Sequence, residues 1–282
     1  MQNRPVALVT GASSGFGMHA SCALVKAGYQ VIASIRDIGN RGALDKMAKV
    51  HIATEHMEVM PLDVTDSEQI AATISSIVSR YGRIDLLLNN AGYACGGFVE
   101  ELSLQEWRKQ FDVNVFGLID VTHAVLPHMR QHKSGRIINL SSISGRFGFP
   151  GLAPYAASKH AVEGFSESLR LEMLPFGVDV VLIEPGSYRT SIWEKGIQSS
   201  TKEPHSSASP YLEQMQKLRA AVSHIMENAP EPDEVVKTIV HAATTQKPRL
   251  RYPVGKGVGL TIAAKNLLPW RWIEAIVSKR MR

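Results

Sequence analysis

The chain has 282 residues, 44% hydrophobic and 20% charged, which is the ordinary composition of a soluble globular protein with a substantial core. Its net charge of +5 is unevenly distributed, because residues 246–282 contain nine Lys or Arg and one acid, a net +8 that leaves −3 for the remainder. This distribution argues against a general nucleic-acid-binding protein, and two cysteines are too few for a disulfide framework.

The first predicted strand, residues 4–10, leads directly into a glycine-rich turn at residues 11–17 and then into a helix with apolar period near 3.6. Glycines at such a turn let the backbone approach a pyrophosphate, and the helix N-terminus offers N–H groups to the anion. The spacing is GxxxGxG rather than GxGxxG, and a turn without a ligand is the alternative. Its position between strand and helix favours a dinucleotide site.

The second strand, residues 30–35, ends at Arg36, where an acid would accept the ribose 2′-hydroxyl of NAD(H). An arginine instead pairs with a 2′-phosphate through charge-assisted hydrogen bonds. Arg36 therefore predicts NADP(H), with Ser14 and Arg41 as candidates to assist. NAD(H) is the alternative, because Asp37 reaches the ribose if the turn differs by one residue.

The third strand, residues 58–62, ends in Asp63-Val64-Thr65-Asp66, and Thr65 or Asp66 is suited to cap a helix that runs to about residue 81. The fourth strand, residues 84–88, ends in Asn89-Asn90-Ala91-Gly92. This polar corner can accommodate a cofactor ribose, although Asn is also a common turn former.

A long helical stretch is predicted for residues 103–131, with Ser103 and Glu106 spaced as a capping box. Asn114 lies within it among apolar neighbours. A buried amide needs hydrogen-bond partners, and a bound water leading to solvent would suit a proton relay. Satisfaction by the backbone alone is the alternative.

A serine, a tyrosine and a lysine follow the fifth strand. Ser142 comes just after the apolar run 137–140, at the edge where parallel strands end. Pro154 is suited to open a helix that continues to about residue 176, and Tyr155 and Lys159 lie one turn apart on one face of it. Because a nearby cation favours the phenolate, we expect Lys159 to lower the pKa of Tyr155.

The sixth strand, residues 178–183, leads into Pro185 and Gly186, whose backbone can approach a nicotinamide, and to Thr190. The following stretch is polar and irregular, and residues 187–230 are predicted to form a substrate loop with a helix near residues 211–228.

The C-terminal part begins with a predicted helix at residues 232–244 and a strand at residues 250–254. We divide the chain into a catalytic domain, residues 1–254, and a basic amphipathic extension, residues 255–282. Such an extension more often packs on its own domain or on another subunit than on a membrane surface. No secretory leader or membrane-length apolar run is visible, so we expect a cytoplasmic location.

The motifs occur in the order TGASSGFG, LDVTD, NNAG, FDVNVFG, Ser142, YAASK and EPGSYRT between residues 6 and 190, and in this order the chain resembles a short-chain dehydrogenase/reductase. SIRD after the second strand and EPGSYRTSI after the sixth are most similar to the hydroxysteroid and retinol dehydrogenase branch and its bacterial relatives. The resemblance implies a single-domain Rossmann-type α/β fold, a doubly wound parallel sheet of about seven strands flanked by helices. It also implies a homodimer or homotetramer that needs no metal.

The site implied by the resemblance has a catalytic tetrad of Asn114, Ser142, Tyr155 and Lys159. The implied cofactor-binding residues are Gly11, Ser13, Ser14, Gly15, Phe16, Gly17, Arg36, Asp63, Val64, Asn90, Ala91, Gly92, Tyr155, Lys159, Pro185, Gly186 and Thr190. Hydride passes between nicotinamide and the carbon of an alcohol, ketone or aldehyde, while Tyr155 gives or takes the proton. Ala91, Phe147 and Phe149 suggest a small hydrophobic substrate. The alternative is a catalytically silent NAD(P)-binding regulatory or scaffold protein.

Overall fold

The computed structural model describes residues 4–51, 53–190, 192 and 209–281. Seven parallel strands form one sheet in the order β3-β2-β1-β4-β5-β6-β7. The strands are β1 (Val6–Val9), β2 (Gln30–Ile35), β3 (Met57–Pro61), β4 (Leu86–Asn89), β5 (Gly135–Leu140), β6 (Val178–Pro185) and β7 (Arg251–Val254). The order reverses between β1 and β4, and ligands bind beyond the strand ends at such a point. The predicted doubly wound fold is confirmed.

Helices cover both faces of this sheet. Within the described residues the α-helices are α1 (Gly15–Lys26), α2 (Gly42–Val50), α3 (Ser67–Tyr81), α4 (Leu104–Phe111), α5 (Gly117–His132), α6 (Ala153–Met173), α7 (Leu212–Glu227), α8 (Asp233–Thr244), α9 (Val258–Leu267) and α10 (Trp270–Met281). Helices α1, α2 and α8 pack on one face, and α3, α5 and α6 pack on the other.

The two hydrophobic cores follow from the pleat of the strands. In β1, Ala7 and Val9 belong to the core under α1, whereas Val6 and Leu8 belong to the core under α3 and α5. Successive side chains of a strand point to opposite faces, so a strand covered on both faces must be apolar throughout. This is why β1 is an uninterrupted apolar run rather than an alternating one.

Several element boundaries differ from the predicted ones. The helix predicted for residues 103–131 is interrupted by a π-turn, Asp112–Phe116, between α4 and α5. Strand β6 extends two residues beyond its predicted end, to Pro185. The helix predicted near residues 211–228 is present as α7, whereas residues 193–208 of the predicted substrate loop lie outside the described residues. No helix of the described chain is long and apolar enough to cross a bilayer.

Candidate active site

A cleft of about 1730 Å³ lies at the carboxyl ends of the strands, where the strand order reverses. Three predicted catalytic residues line it, namely Ser142, Tyr155 and Lys159. The other predicted cofactor residues in its lining are Gly11, Ser13, Ser14, Gly15, Phe16, Arg36, Asp63, Val64, Asn90, Ala91, Gly92, Pro185, Gly186 and Thr190. Gly17 and Asn114 do not line it. Within the described ranges, no group of three or more His, Cys, Asp or Glu residues is arranged to hold a metal ion.

The glycine turn between β1 and α1 forms one wall of the cleft. Gly11 has φ +67°, and a Cβ there would lie 2.8 Å from the Ala91 Cα, so neither the backbone conformation nor the space admits a side chain. Gly15 opens α1 with φ +55°, and the first turn of this helix contains no acid. The helix N-terminus therefore presents its positive end to the cleft, which fits the pyrophosphate of a dinucleotide.

Gly17 has a packing role instead. A Cβ there would lie 2.7 Å from the Gly11 carbonyl oxygen and would overlap the Asn90 amide. The Asn90 amide donates to the carbonyl oxygens of Thr10 at 2.8 Å and of Gly11 at 3.0 Å. The absence of a side chain at Gly17 thus lets the corner after β4 hold the glycine turn in place.

At the end of β2, the two candidate selectors of the cofactor have different surroundings. Arg36 is exposed, lines the cleft and forms no ion pair within the described part of the chain. The Asp37 carboxylate accepts hydrogen bonds from the Gly39 N–H and the Asn40 amide, both at 2.9 Å. Arg41 is paired with Asp45 at 2.8 Å and is absent from the cleft lining. Of these charged groups, Arg36 is the cation available to a ligand.

The corner after β3 is ordered by its own side chains. Asp63 accepts hydrogen bonds from the Thr65 N–H at 2.9 Å and the Thr65 hydroxyl at 2.8 Å. Asp66 caps α3 by accepting from the Gln69 N–H at 2.9 Å, which is the capping role considered from the sequence. These contacts present Val64 and the backbone beside it to the cleft.

The serine, tyrosine and lysine meet where β5 ends and α6 begins. Ser142 directly precedes a short 3₁₀ turn, and its hydroxyl accepts from the Ser144 N–H at 3.1 Å. Tyr155 and Lys159 are both buried, one turn apart in α6. The Lys159 Nζ donates to the Leu140 carbonyl oxygen at 2.6 Å and lies 5.8 Å from the centroid of the Tyr155 ring.

Burial dominates the ionisation of this pair. It raises the pKa of Tyr155 to about 12, and the hydrogen bond with Ser142 opposes this only in part. The prediction that Lys159 lowers the phenol pKa below its usual value is therefore wrong for the protein alone. Burial lowers the pKa of Lys159 to about 8, although the Glu163 carboxylate favours the ammonium. At neutral pH the pair is thus a neutral phenol beside a mostly protonated amine.

Asn114 lies in the π-turn rather than in a regular helix. Its side chain accepts from the Tyr93 N–H at 3.1 Å and donates to the Tyr93 carbonyl oxygen at 3.0 Å. The amide also donates to the Ser158 hydroxyl at 3.3 Å. These contacts from the Tyr93 backbone and the Ser158 hydroxyl satisfy the buried amide, and they fix the chain after β4 beside α6.

Behind the turn of α6 that carries Tyr155 and Lys159 lies a buried ionic network that the sequence did not reveal. Glu184 is fully buried between Arg146 at 3.1 Å and Arg251 at 3.2 Å, and Arg251 also contacts Glu163 at 2.9 Å. Burial raises the pKa of Glu184 to about 7. A β7 arginine meeting two carboxylates from β6 and α6 is a contact that only the folded sheet order creates.

The apolar part of the cleft combines predicted and unpredicted residues. Phe147 and Phe149 line it with their ring centroids 4.8 Å apart. Helices α7, α9 and α10 and the link between the last two add aliphatic side chains, which are Leu218, Val222, Leu260, Ile273, Ile276 and Val277 from the helices and Leu268 from the link. The sequence shows that the C-terminal residues are apolar and periodic, but it does not show that they line this cleft.

Comparison with known proteins agrees with this geometry. The family model for short chain dehydrogenases matches residues 5–200. An uncharacterized oxidoreductase of Bacillus subtilis, YusZ, is 46% identical over 99% of both chains. The 3-ketodihydrosphingosine reductase of Bacteroides thetaiotaomicron is 34% identical, over 94% of this chain and 93% of its own. The solved structure of ElxO with NADP bound superposes with a TM-score of 0.75 at 26% identity, covering 91% of this chain and 99% of that one. The chain therefore belongs to the short-chain dehydrogenase/reductase family of oxidoreductases.

Proposed function

We propose that the protein is an NADP(H)-dependent oxidoreductase that interconverts a hydrophobic alcohol and its ketone or aldehyde, with Tyr155 as the general acid and base. The observation that carries this proposal is the convergence of Ser142, Tyr155 and Lys159 on a cleft whose other wall is the glycine turn. A proton donor and a dinucleotide cradle on one cleft are what hydride transfer to a carbonyl requires. Bound NADPH supplies the hydride.

The ionisation of the site suits reduction at neutral pH. With its pKa raised by burial to about 12, the Tyr155 phenol keeps its proton at neutral pH and can donate a hydrogen bond and then that proton to the substrate oxygen. The Ser142 hydroxyl lies beside it and hydrogen-bonds the same oxygen. The Lys159 ammonium, 5.8 Å from the ring centroid, stabilises the phenolate left behind. In oxidation the Tyr155 phenolate, stabilised by the same ammonium, accepts the proton of the alcohol.

Support for NADP(H) over NAD(H) comes from the end of β2. Arg36 forms no ion pair with any residue that the structure describes, whereas the Asp37 carboxylate oxygens accept hydrogen bonds from the Gly39 N–H and the Asn40 amide. A guanidinium beside a ribose 2′-phosphate forms forked, charge-assisted hydrogen bonds. ElxO, which binds NADP, is a structural neighbour.

The substrate class follows from the apolar wall. Aromatic and aliphatic side chains surround the space beside Tyr155, so a hydrophobic substrate loses less solvation there than a charged one. The 3-ketodihydrosphingosine reductase among the relatives acts, by its name, on a lipid-like ketone. The predicted water-mediated relay at Asn114, the homodimer or homotetramer, the cytoplasmic location and the division at residue 254 stay proposals.

The decisive experiment follows NADPH absorbance with a panel of hydrophobic ketones and aldehydes. Tyr155→Phe removes the hydroxyl that carries the transferable proton, so turnover should fall at least ~100-fold while NADPH still binds. Tyr29→Phe is the matched control, since that hydroxyl is also buried but donates to the Ala243 carbonyl oxygen at 3.0 Å, away from the cleft. Retained turnover in Tyr155→Phe refutes the assignment of Tyr155. Tight NADPH binding without turnover on any carbonyl favours the silent regulatory protein instead.

A further inference from the structure

The two C-terminal helices, α9 and α10, bury some of their apolar side chains and expose others to solvent. Val258, Ile262 and Ile273 are buried against the protein. Where α9 ends and α10 begins, the opposite occurs, because Leu267 is 83% exposed and Trp270 and Trp272 are each 56% exposed. We name these last three residues the apolar elbow. Large apolar side chains are stabilised when they leave water, so three exposed together mark a surface for a partner.

The charges around the apolar elbow are positive. Lys256 and Arg271 are exposed, Lys265 is partly so, and none of the three forms an ion pair within the described part of the chain. Glu274 is the single acid between residues 246 and 282. This charge complements an anionic surface, and it opposes pairing with a second copy of the same elbow, which would bring like positive charges together.

The apolar elbow adjoins the mouth of the cleft. Leu260 of α9 and Ile276 of α10 both line the cleft, yet each is more than half exposed. These two residues therefore lie at the rim, on the same two helices that carry the elbow. A partner bound at the elbow lies next to the opening through which a hydrophobic substrate passes.

We propose that the apolar elbow and its flanking cations bind the surface of an anionic phospholipid bilayer. Tryptophan rings occupy the boundary between headgroups and acyl chains, and basic side chains beside them contact lipid phosphates. Each Lys or Arg near an anionic leaflet adds electrostatic attraction to it. The surface lies on the bilayer and does not cross it, and it directs the rim residues Leu260 and Ile276 towards the lipid.

The test is co-sedimentation of the full chain with vesicles of phosphatidylcholine containing phosphatidylglycerol, compared with phosphatidylcholine alone. Binding should require the anionic lipid and weaken as salt rises. The double variant Trp270→Ala with Trp272→Ala should lower the partition coefficient at least ~10-fold. The matched control is Leu171→Ala with Leu174→Ala, which removes two exposed apolar side chains at the far end of α6. That control should bind as the unchanged protein does.

Equal losses in the two double variants, or no binding to anionic vesicles, overturn the proposal. So does a tryptophan variant that still binds vesicles but elutes as a smaller species in size-exclusion chromatography, since the elbow is then a subunit interface. Because all four substituted side chains are largely exposed, the variants should keep the thermal unfolding midpoint of the parent. The assay contains neither cofactor nor substrate, so its result is independent of the proposed reaction.

Discussion

Arg36→Ala should separate the two nicotinamide cofactors. A hydrogen bond to a charged group contributes about 1.5–3 kcal/mol, and each 1.4 kcal/mol is a factor of about ten in Kd. The variant should therefore bind NADPH about 10- to 150-fold more weakly and NADH nearly unchanged, because NADH has no 2′-phosphate. Fluorescence titration with each reduced cofactor measures both constants directly. Because Arg36 is exposed and forms no described ion pair, the fold should be unaffected.

The control for this experiment is Arg41→Ala, five residues further along the chain. It removes the same charge near the same corner, but Arg41 is paired with Asp45 and is absent from the cleft lining. Its loss should change neither constant more than about two-fold, since an exposed ion pair contributes little. Equal weakening of NADPH and NADH by Arg36→Ala, or equal effects of the two arginine variants, would refute the assignment of cofactor choice to Arg36.

Three further predictions concern packing and ionisation. Gly17→Ala should displace the glycine turn and weaken cofactor binding at least ~10-fold, which titration with the cofactor measures. Gly164→Ala has open space around its Cβ and should stabilise α6 by about 0.5–1 kcal/mol, which calorimetry measures. Asn114→Ala removes the acceptor of the Tyr93 N–H, while the Tyr93 carbonyl oxygen keeps the hydrogen bond from the Gln110 amide at 2.9 Å. The unfolding midpoint should therefore fall by about 2–4 °C per kcal/mol lost, whereas a purely water-holding Asn would leave it unchanged. The rate of carbonyl reduction should be constant below pH about 8 and decline above it as Lys159 loses its proton; a pH profile that rises there contradicts this ionisation.

Much of the fold follows from local patterns in the sequence. The uninterrupted apolar strands, each followed by small or polar residues, predict a parallel sheet buried on both faces. Because the carboxyl ends of parallel strands share one edge, the residues after β1, β2, β4, β5 and β6 had to meet there. Ser142 and Tyr155 are thirteen residues apart, yet this rule places both on one cleft.

The features that escaped prediction depend on contacts between distant segments. The π-turn at Asp112–Phe116 has the same apolar period as the helices on either side, so no sequence signal separates it from them. The pairing of Arg251 with Glu163 and Glu184 requires β7 to lie beside β6 and α6 beneath both. Likewise, Leu260 and Ile276 become cleft residues only because α9 and α10 fold back over the strand ends.

The ionisation of Tyr155 shows why a local pattern is not enough for chemistry. Because Tyr155 and Lys159 lie one helical turn apart, the sequence suggests that the ammonium lowers the pKa of the phenol. The folded site removes water from both, which disfavours both charged forms and moves their pKa values to about 12 and about 8. In the proposed reduction the phenol keeps its proton until a carbonyl oxygen takes it, and the nearby ammonium offsets the negative charge that appears on the phenolate. Burial thus leaves a neutral phenol beside an ammonium at neutral pH, the arrangement that the proposed acid role of Tyr155 requires.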